Sequence, residues 1–187
     1  TVRSDRGLEA ELATLDLAAA AERLTAAESA VGTDAARARV AALRERLESA
    51  AVAFDALVGA WPNGGWKRRT IRDPRPGGEN VEVAGADAAG LVLEGGERLE
   101  WGAFGGAVDA LDSLFHRRLN RDWTPTELAA ITDLLVLQAV VATTSEASSE
   151  FGTAEPGRFS ENAGERLLAP YDVALEWARR IPDPVAN

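Results

Sequence analysis

Asn80–Gly106, NVEVAGADAAGLVLEGGERLEWGAFGG, decides the fold, because the stretches on either side of it read as helix. Val81 and Val83 alternate with polar neighbours, Leu91 and Leu93 do the same, and Leu99 and Trp101 repeat the pattern. A period of two belongs to a half-buried antiparallel strand, whose successive side chains point to opposite faces. Glu94-Gly95-Gly96-Glu97 separates the last two runs, and a Gly-Gly pair accepts the positive φ angles of a two-residue hairpin turn. The earlier turn spans residues 84–90, with Asp87 as its Asx residue and Gly90 relieving strain. Upstream, Trp66, Thr70 and Ile71 supply one more strand before Pro74 and Pro76 force a loop. Strands are therefore expected at about 66–72, 80–86, 90–94 and 97–102, with Trp101 in the last of them.

Outward from this module the period changes to that of a helix. Residues 8–31 contain no Gly or Pro and are rich in Ala, Leu and Glu, which predicts one helix with Gly32 as its C′ residue. Thr33 then caps a second helix over about 34–61. Val40, Leu43, Leu47, Ala50, Phe54, Leu57 and Trp61 alternate spacings of three and four, a heptad seam that needs a partner helix. The short connection makes the first helix the expected antiparallel partner. After Gly106, a helix is expected over 107–119, with Val108, Leu111, Leu114, Phe115 and Leu119 on one face. Thr124-Pro125-Thr126-Glu127 is a capping box with proline at N1, and it opens a nearly uncharged helix over about 125–145. A small, polar, acidic loop is expected over 143–164, and a last helix ends near Arg180.

Composition removes whole classes of chemistry. There is no Cys, so disulfides, thiol catalysis and Cys-ligated zinc are excluded, and the single His, His116, excludes a His-rich metal site. A carboxylate-only Mg²⁺ or Ca²⁺ site stays open, and no cofactor is expected. His116 follows Phe115 near the charged end of its helix and reads as a histidine with a local hydrogen bond rather than a catalytic base. A formal charge of −10 argues against general nucleic-acid binding. Lys67 is the one lysine among 20 basic residues, and roughly a fifth of the chain is Ala, a bias that suits a GC-rich genome. The apolar runs read as too short for the ~20 residues of a bilayer span. No membrane span is expected, and with no leader visible a cytoplasmic location is. The chain starts at Thr1 and contains no Met, which suggests a piece of a longer protein.

The one basic cluster, Lys67, Arg68, Arg69, Arg72 and Arg75, surrounds Asp73. With Trp66 beside it, it can contact an anion or RNA phosphate through Arg68, Arg69 and Arg72, or it can pair internally with Glu79, Glu82, Glu97 and Glu100. Glu146 and Glu150 stand one helical turn apart and offer a carboxylate pair beside the 143–164 loop. Trp101 and Phe104 either plug the core of the β module or line a peptide groove.

The pattern Val83-x-Gly85-Ala86-Asp87-x-x-Gly90-Leu91-x-Leu93, then Gly96, then Leu99-x-Trp101, resembles small SH3-like β modules of large bacterial multidomain proteins. Those modules sit among Ala/Arg-rich helical accessory regions of kinase- and tetratricopeptide-type chains. The kinase motifs themselves are missing here: no glycine-rich loop with Val-Ala-x-Lys, no His-Arg-Asp, no Asp-Phe-Gly. The resemblance implies an accessory segment without catalysis. The expectation is an α+β protein: an antiparallel helical hairpin (1–61), a small SH3-like antiparallel β module (62–106) and a C-terminal helical bundle packed on it (107–187). Its expected role is a non-catalytic protein-interaction or scaffold segment, with Trp66, Arg68, Arg69, Arg72, Trp101 and Phe104 as partner-binding candidates. The partner is another protein or the rest of a longer chain. The alternative is an enzyme or ligand-binding domain with its carboxylate site near the 143–164 loop.

Overall fold

The computed structural model describes residues 7–61, 66, 69–118, 122–153 and 172–181. It is an α+β arrangement in which a four-stranded antiparallel sheet, in the order β1-β2-β3-β4, is flanked in sequence by helices. The helices are α1 (Leu8–Ala13), α2 (Leu17–Ala30), α3 (Asp34–Gly59), α4 (Val108–Ser113), α5 (Pro125–Thr153) and a short α6 over 172–178. The strands are β1 (Thr70–Arg72), β2 (Asn80–Asp87), β3 (Gly90–Leu93) and β4 (Arg98–Glu100).

The helix expected over 8–31 is two helices. At the break, the Leu15 N–H donates to the Leu12 carbonyl (3.0 Å) and the Asp16 N–H to the Glu11 carbonyl (2.9 Å). This is the pair of reversed bonds that closes a helix around a left-handed C′ residue. That residue is Leu15, at φ 55°, where a glycine is the usual occupant. Its side chain is buried, and the next residue, Asp16, caps α2 by accepting the Ala19 N–H at 3.0 Å. The chain thus turns a corner without Gly or Pro. At the far end of α2 the expected glycine stop is absent: Val31 is extended and Gly32 does not take a left-handed φ. Thr33 caps α3 as expected, accepting the Ala36 N–H at 3.3 Å.

The α3 seam is real, but it serves two partners. α3 packs on α2 and, more extensively, on α5, and Leu47, Ala50 and Leu57 of the seam are fully buried. Ion pairs Arg44–Glu28 (2.9 Å) and Arg46–Asp133 (3.2 Å) mark the two contacts. Periodicity states which face of a helix is apolar; it does not name what covers it.

In the sheet, Ile71, Val83, Leu91, Leu93 and Leu99 all point into the core, as the alternation requires. A bulge between Val83 and Gly85 bends β2 against β3. The 94–97 turn differs from expectation. The Gly96 N–H donates to the Leu93 carbonyl (2.8 Å), the Leu93 N–H donates to the Glu97 carbonyl (2.8 Å), and Gly96 alone is left-handed, at φ 82°. That is a three-residue loop with a glycine bulge, not a two-residue Gly-Gly turn. Strand β1 is shorter than the expected 66–72, with Trp66 in an isolated bridge. Trp101 leaves the last strand for a 3₁₀ turn over Trp101–Phe104.

Helix α4 is shorter than expected and widens into a π turn at Leu114–Arg118. The capping box forms in full: the Thr124 N–H donates to Glu127 Oε2 at 2.9 Å and the Glu127 N–H to Thr124 Oγ1 at 3.3 Å. Helix α5 runs on to Thr153, so the start of the expected 143–164 loop is helix. Its segment Pro125–Thr144 is long and apolar enough to cross a membrane, which corrects the reading of all apolar runs as too short; half of that segment is buried inside the fold.

Gln138, fully buried on α5, donates from Nε2 to the Leu12 carbonyl (3.0 Å) and accepts the Gly106 N–H (2.9 Å). The turn it holds lies so close to α1 that a Cβ on Gly105 would stand 1.7 Å from the Ala13 carbonyl oxygen. One continuous core runs from Leu12 through the sheet to Trp177.

Candidate functional site

The break at Thr14–Asp16 does more than turn the chain. It opens a groove of about 750 Å³ between the start of α2, one face of α3, and the β module at Ala88, Ala89 and Glu100–Gly102. Leu17, Ala18 and Ala21 form one wall and Leu47, Ala51 and Phe54 the other. Small alanines on facing helices leave the space that larger side chains would fill. Four carboxylates, Asp16, Glu48, Asp55 and Glu100, stand exposed along it, and no Lys or Arg among the described residues lines it.

The floor is rigid. Trp101 is 3% exposed, packs edge-on against Phe54 (centroids 5.1 Å, 76°) and touches Phe104 (5.7 Å). Its indole N–H donates to the Asp87 carbonyl at 2.8 Å. The Asp87 carboxylate meanwhile accepts the Ala89 N–H (2.8 Å) and the Gly90 N–H (3.2 Å) and pairs with Arg98. The Arg98 guanidinium, aided by those two N–H donors, holds Asp87 below the usual carboxylate range. The Asx turn read at Asp87 therefore also fixes the tryptophan beside the groove.

Of the five partner-binding candidates among the described residues, Trp101 alone touches this groove, and it does so from the core. Phe104, 1% exposed, lies beneath it and presents nothing to solvent. Trp66 is elsewhere, edge-on to Trp61 (5.4 Å), with its indole nitrogen buried and unbonded. Arg69 lies over the Trp61 ring at 5.5 Å, and Arg72 is exposed with its Nε 3.5 Å from the Gly78 carbonyl. The Val83 N–H bonds the Arg69 carbonyl, extending the pairing of β1, so by the period of two Arg69 and Arg72 leave opposite faces. Arg68 lies outside the described residues.

Arg75, from the same basic run, is absorbed internally: it clasps buried Asp73 (Nη2–Oδ2 2.5 Å) and reaches Glu97 at 3.3 Å. That clasp lowers the Asp73 pKa and raises that of Arg75. Of the four internal partners expected for the basic run, Glu97 is thus engaged.

At the other end of the molecule, His116 Nδ1 lies 2.6 Å from Asp112 Oδ1, which also accepts the Trp177 indole N–H at 2.6 Å. The His116 and Trp177 rings meet tilted, with centroids 4.4 Å apart and planes at 53°, and Arg180 covers Trp177 at 4.8 Å. The histidine does have its local partner, and the cluster fastens α6 to α4. The side chains of Glu146 and Glu150 and the 154–164 loop lie outside the described residues. Among those described, no three His, Asp or Glu side chains converge as a metal-ligand set.

Sequence reasoning had pointed to two of the groove's features, the α3 seam at Phe54 and Trp101, but missed the wall made by residues 14–18. Asp16 followed by an apolar residue is an N-cap signal, and it was hidden in a run of strong helix formers. No protein-family model, curated protein or solved structure matches the chain.

Proposed function

We propose that the chain is a non-catalytic protein-interaction or scaffold segment of a larger bacterial protein or assembly, acting in the cytoplasm, with the α2–α3 groove as its docking surface. The observation that carries this reading is the groove itself: an apolar trough of about 750 Å³ on a floor locked by Trp101. Open apolar surface flanked by charge suits a partner's side chain better than bulk water. In this reading the four-stranded meander is the small SH3-like module that its turn glycines suggest, and the C-terminal helices form the bundle that supports it. The alternative of an enzyme built on Glu146 and Glu150 has no described side chain to rest on.

The test is affinity capture of the tagged chain from its source organism, read by quantitative mass spectrometry. The variant to compare is Ala18→Trp, because Ala18 is exposed on the groove wall and a bulky group there fills the groove without touching the core. Trp101→Ala would remove core packing and confound the result. A stoichiometric partner lost in Ala18→Trp supports the reading; no partner, or one retained equally by the variant, overturns it.

A further inference from the structure

We infer that the occupant of the groove is a basic amphipathic helical segment of a partner protein, one that inserts an apolar side chain between two Arg or Lys residues. This deepens the docking reading above and rests on it. Glu48, Ala51 and Asp55 lie on one stripe of α3, and all three line the groove. At 1.5 Å per residue the two carboxylates stand about 10 Å apart along the axis, with the alanine between them. Asp55 makes no ion pair or hydrogen bond among the described residues, whereas Glu48 has Arg44 at 3.6 Å. Across the groove, Asp16 precedes the apolar Leu17, Ala18 and Ala21 of α2, and Glu100 lines the groove from the β module. Asp16 uses one oxygen to cap α2, and Glu100 sits near Arg98. Among the described residues, every charge lining the groove is therefore negative and the surface between the charges is apolar.

The complement is a ligand with cations two helical turns apart and an apolar residue between, an Arg-x-x-Leu-x-x-x-Arg spacing. Charge complementarity of this kind sets partner choice and encounter rate, and the apolar insertion sets residence time. An acidic segment would be repelled from all four carboxylates. A small polyamine would satisfy the charges but leave the alanine walls uncovered.

The experiment measures binding of fluorescein-labelled helical peptides to the whole chain by anisotropy. Three 14-residue probes are used: the Arg-x-x-Leu-x-x-x-Arg peptide, its Arg→Glu counterpart and its Leu→Ser counterpart, with unlabelled spermine as competitor. The expected result is binding of the first peptide alone, weakened about tenfold when salt is raised from 0.05 to 0.5 M. Asp55→Arg and Ala51→Arg should each weaken it at least tenfold while circular dichroism stays unchanged; both side chains lie on the groove face, and Asp55 is exposed. Equal binding by the Glu peptide, or displacement by spermine at equal charge concentration, overturns the inference. So does binding that ignores both groove variants. If the Glu peptide binds and is lost with Ala51→Arg, the charge assignment falls while the docking reading stands; if the Ser peptide does so, the apolar insertion falls and the docking reading again stands. If no peptide binds, the inference falls, and the capture experiment alone decides the docking reading.

Discussion

The two ends of the first helical stretch stop their helices in opposite ways. At Thr14–Asp16 a leucine occupies the left-handed position that glycine normally takes, and two reversed hydrogen bonds close the helix around it. At Val31–Thr33 a glycine is available and its left-handed freedom is not used; the chain leaves extended and a threonine caps the next helix. A left-handed leucine costs about 1 kcal/mol or more of backbone strain. It persists at 15 because the side chain is buried to 4% exposure, worth about 2 kcal/mol. Burial, not local preference, places this corner, and the corner makes the groove.

That comparison can be broken by substitution. Leu15→Ala keeps the left-handed strain and loses the buried side chain, so it should cost about 3 kcal/mol in urea denaturation. Leu15→Gly loses the same side chain but sheds the strain. It should be more stable than the alanine variant by about 1 kcal/mol, inverting the usual helix order of the two residues. If alanine proves the better replacement, the left-handed leucine is not a source of strain. Asp16→Ala removes the cap of α2 and should cost about 1 kcal/mol, as should Thr33→Ala at α3. At Gly32 nothing lies within 4 Å of an added Cβ and φ is unexceptional, so Gly32→Ala should raise stability by about 0.5 kcal/mol through the unfolded chain.

The gentlest contrast is with pH, and it separates turns held by carboxylates from a corner held by burial. Asp73 and Asp87 both titrate below the usual carboxylate range in the folded protein, through Arg75 and Arg98 respectively. In acid the unfolded chain therefore binds more protons, and stability rises with pH through that window. Their contribution is complete above the unfolded carboxylate value of about 4 and is lost as pH falls below it. Asp73→Asn combined with Asp87→Asn should flatten the dependence of the denaturation midpoint on pH between about 5 and 2. An unchanged slope would remove the ion pairs from the account of how the β module is held.

How much of this was legible follows from where the information lies. The strands, the Asx turn at Asp87, the capping box at Thr124 and the apolar face of α3 each depend on a few neighbouring residues, and all are readable in order along the chain. The division of the α3 seam between α2 and α5 is not, since a stripe of Leu and Ala carries no label for its cover. The split of the basic run is intermediate: a period of two does send Arg69 and Arg72 to opposite faces, but only once the strand is known to reach 69. Trp101 and Phe104 were open between core and groove because aromatic residues serve both. Gln138 was visible as the one amide in an apolar helix, yet its two acceptor and donor partners lie 126 and 32 residues away.

That amide has a consequence for the order of assembly during synthesis. The Leu12 carbonyl receives the side-chain bond that ties α1 to α5 only after residue 138 has been made. At ribosomal speeds of about 5–20 residues per second, α1 waits on the order of ten seconds for its anchor. During that interval its apolar face, and the corner at Leu15, have α2, α3 and, once residue 106 has been made, the β module with its closing turn to lean on. The described lining of the groove is complete once residue 102 has been made, so the docking wall emerges before the Gln138 bond that secures the corner behind it.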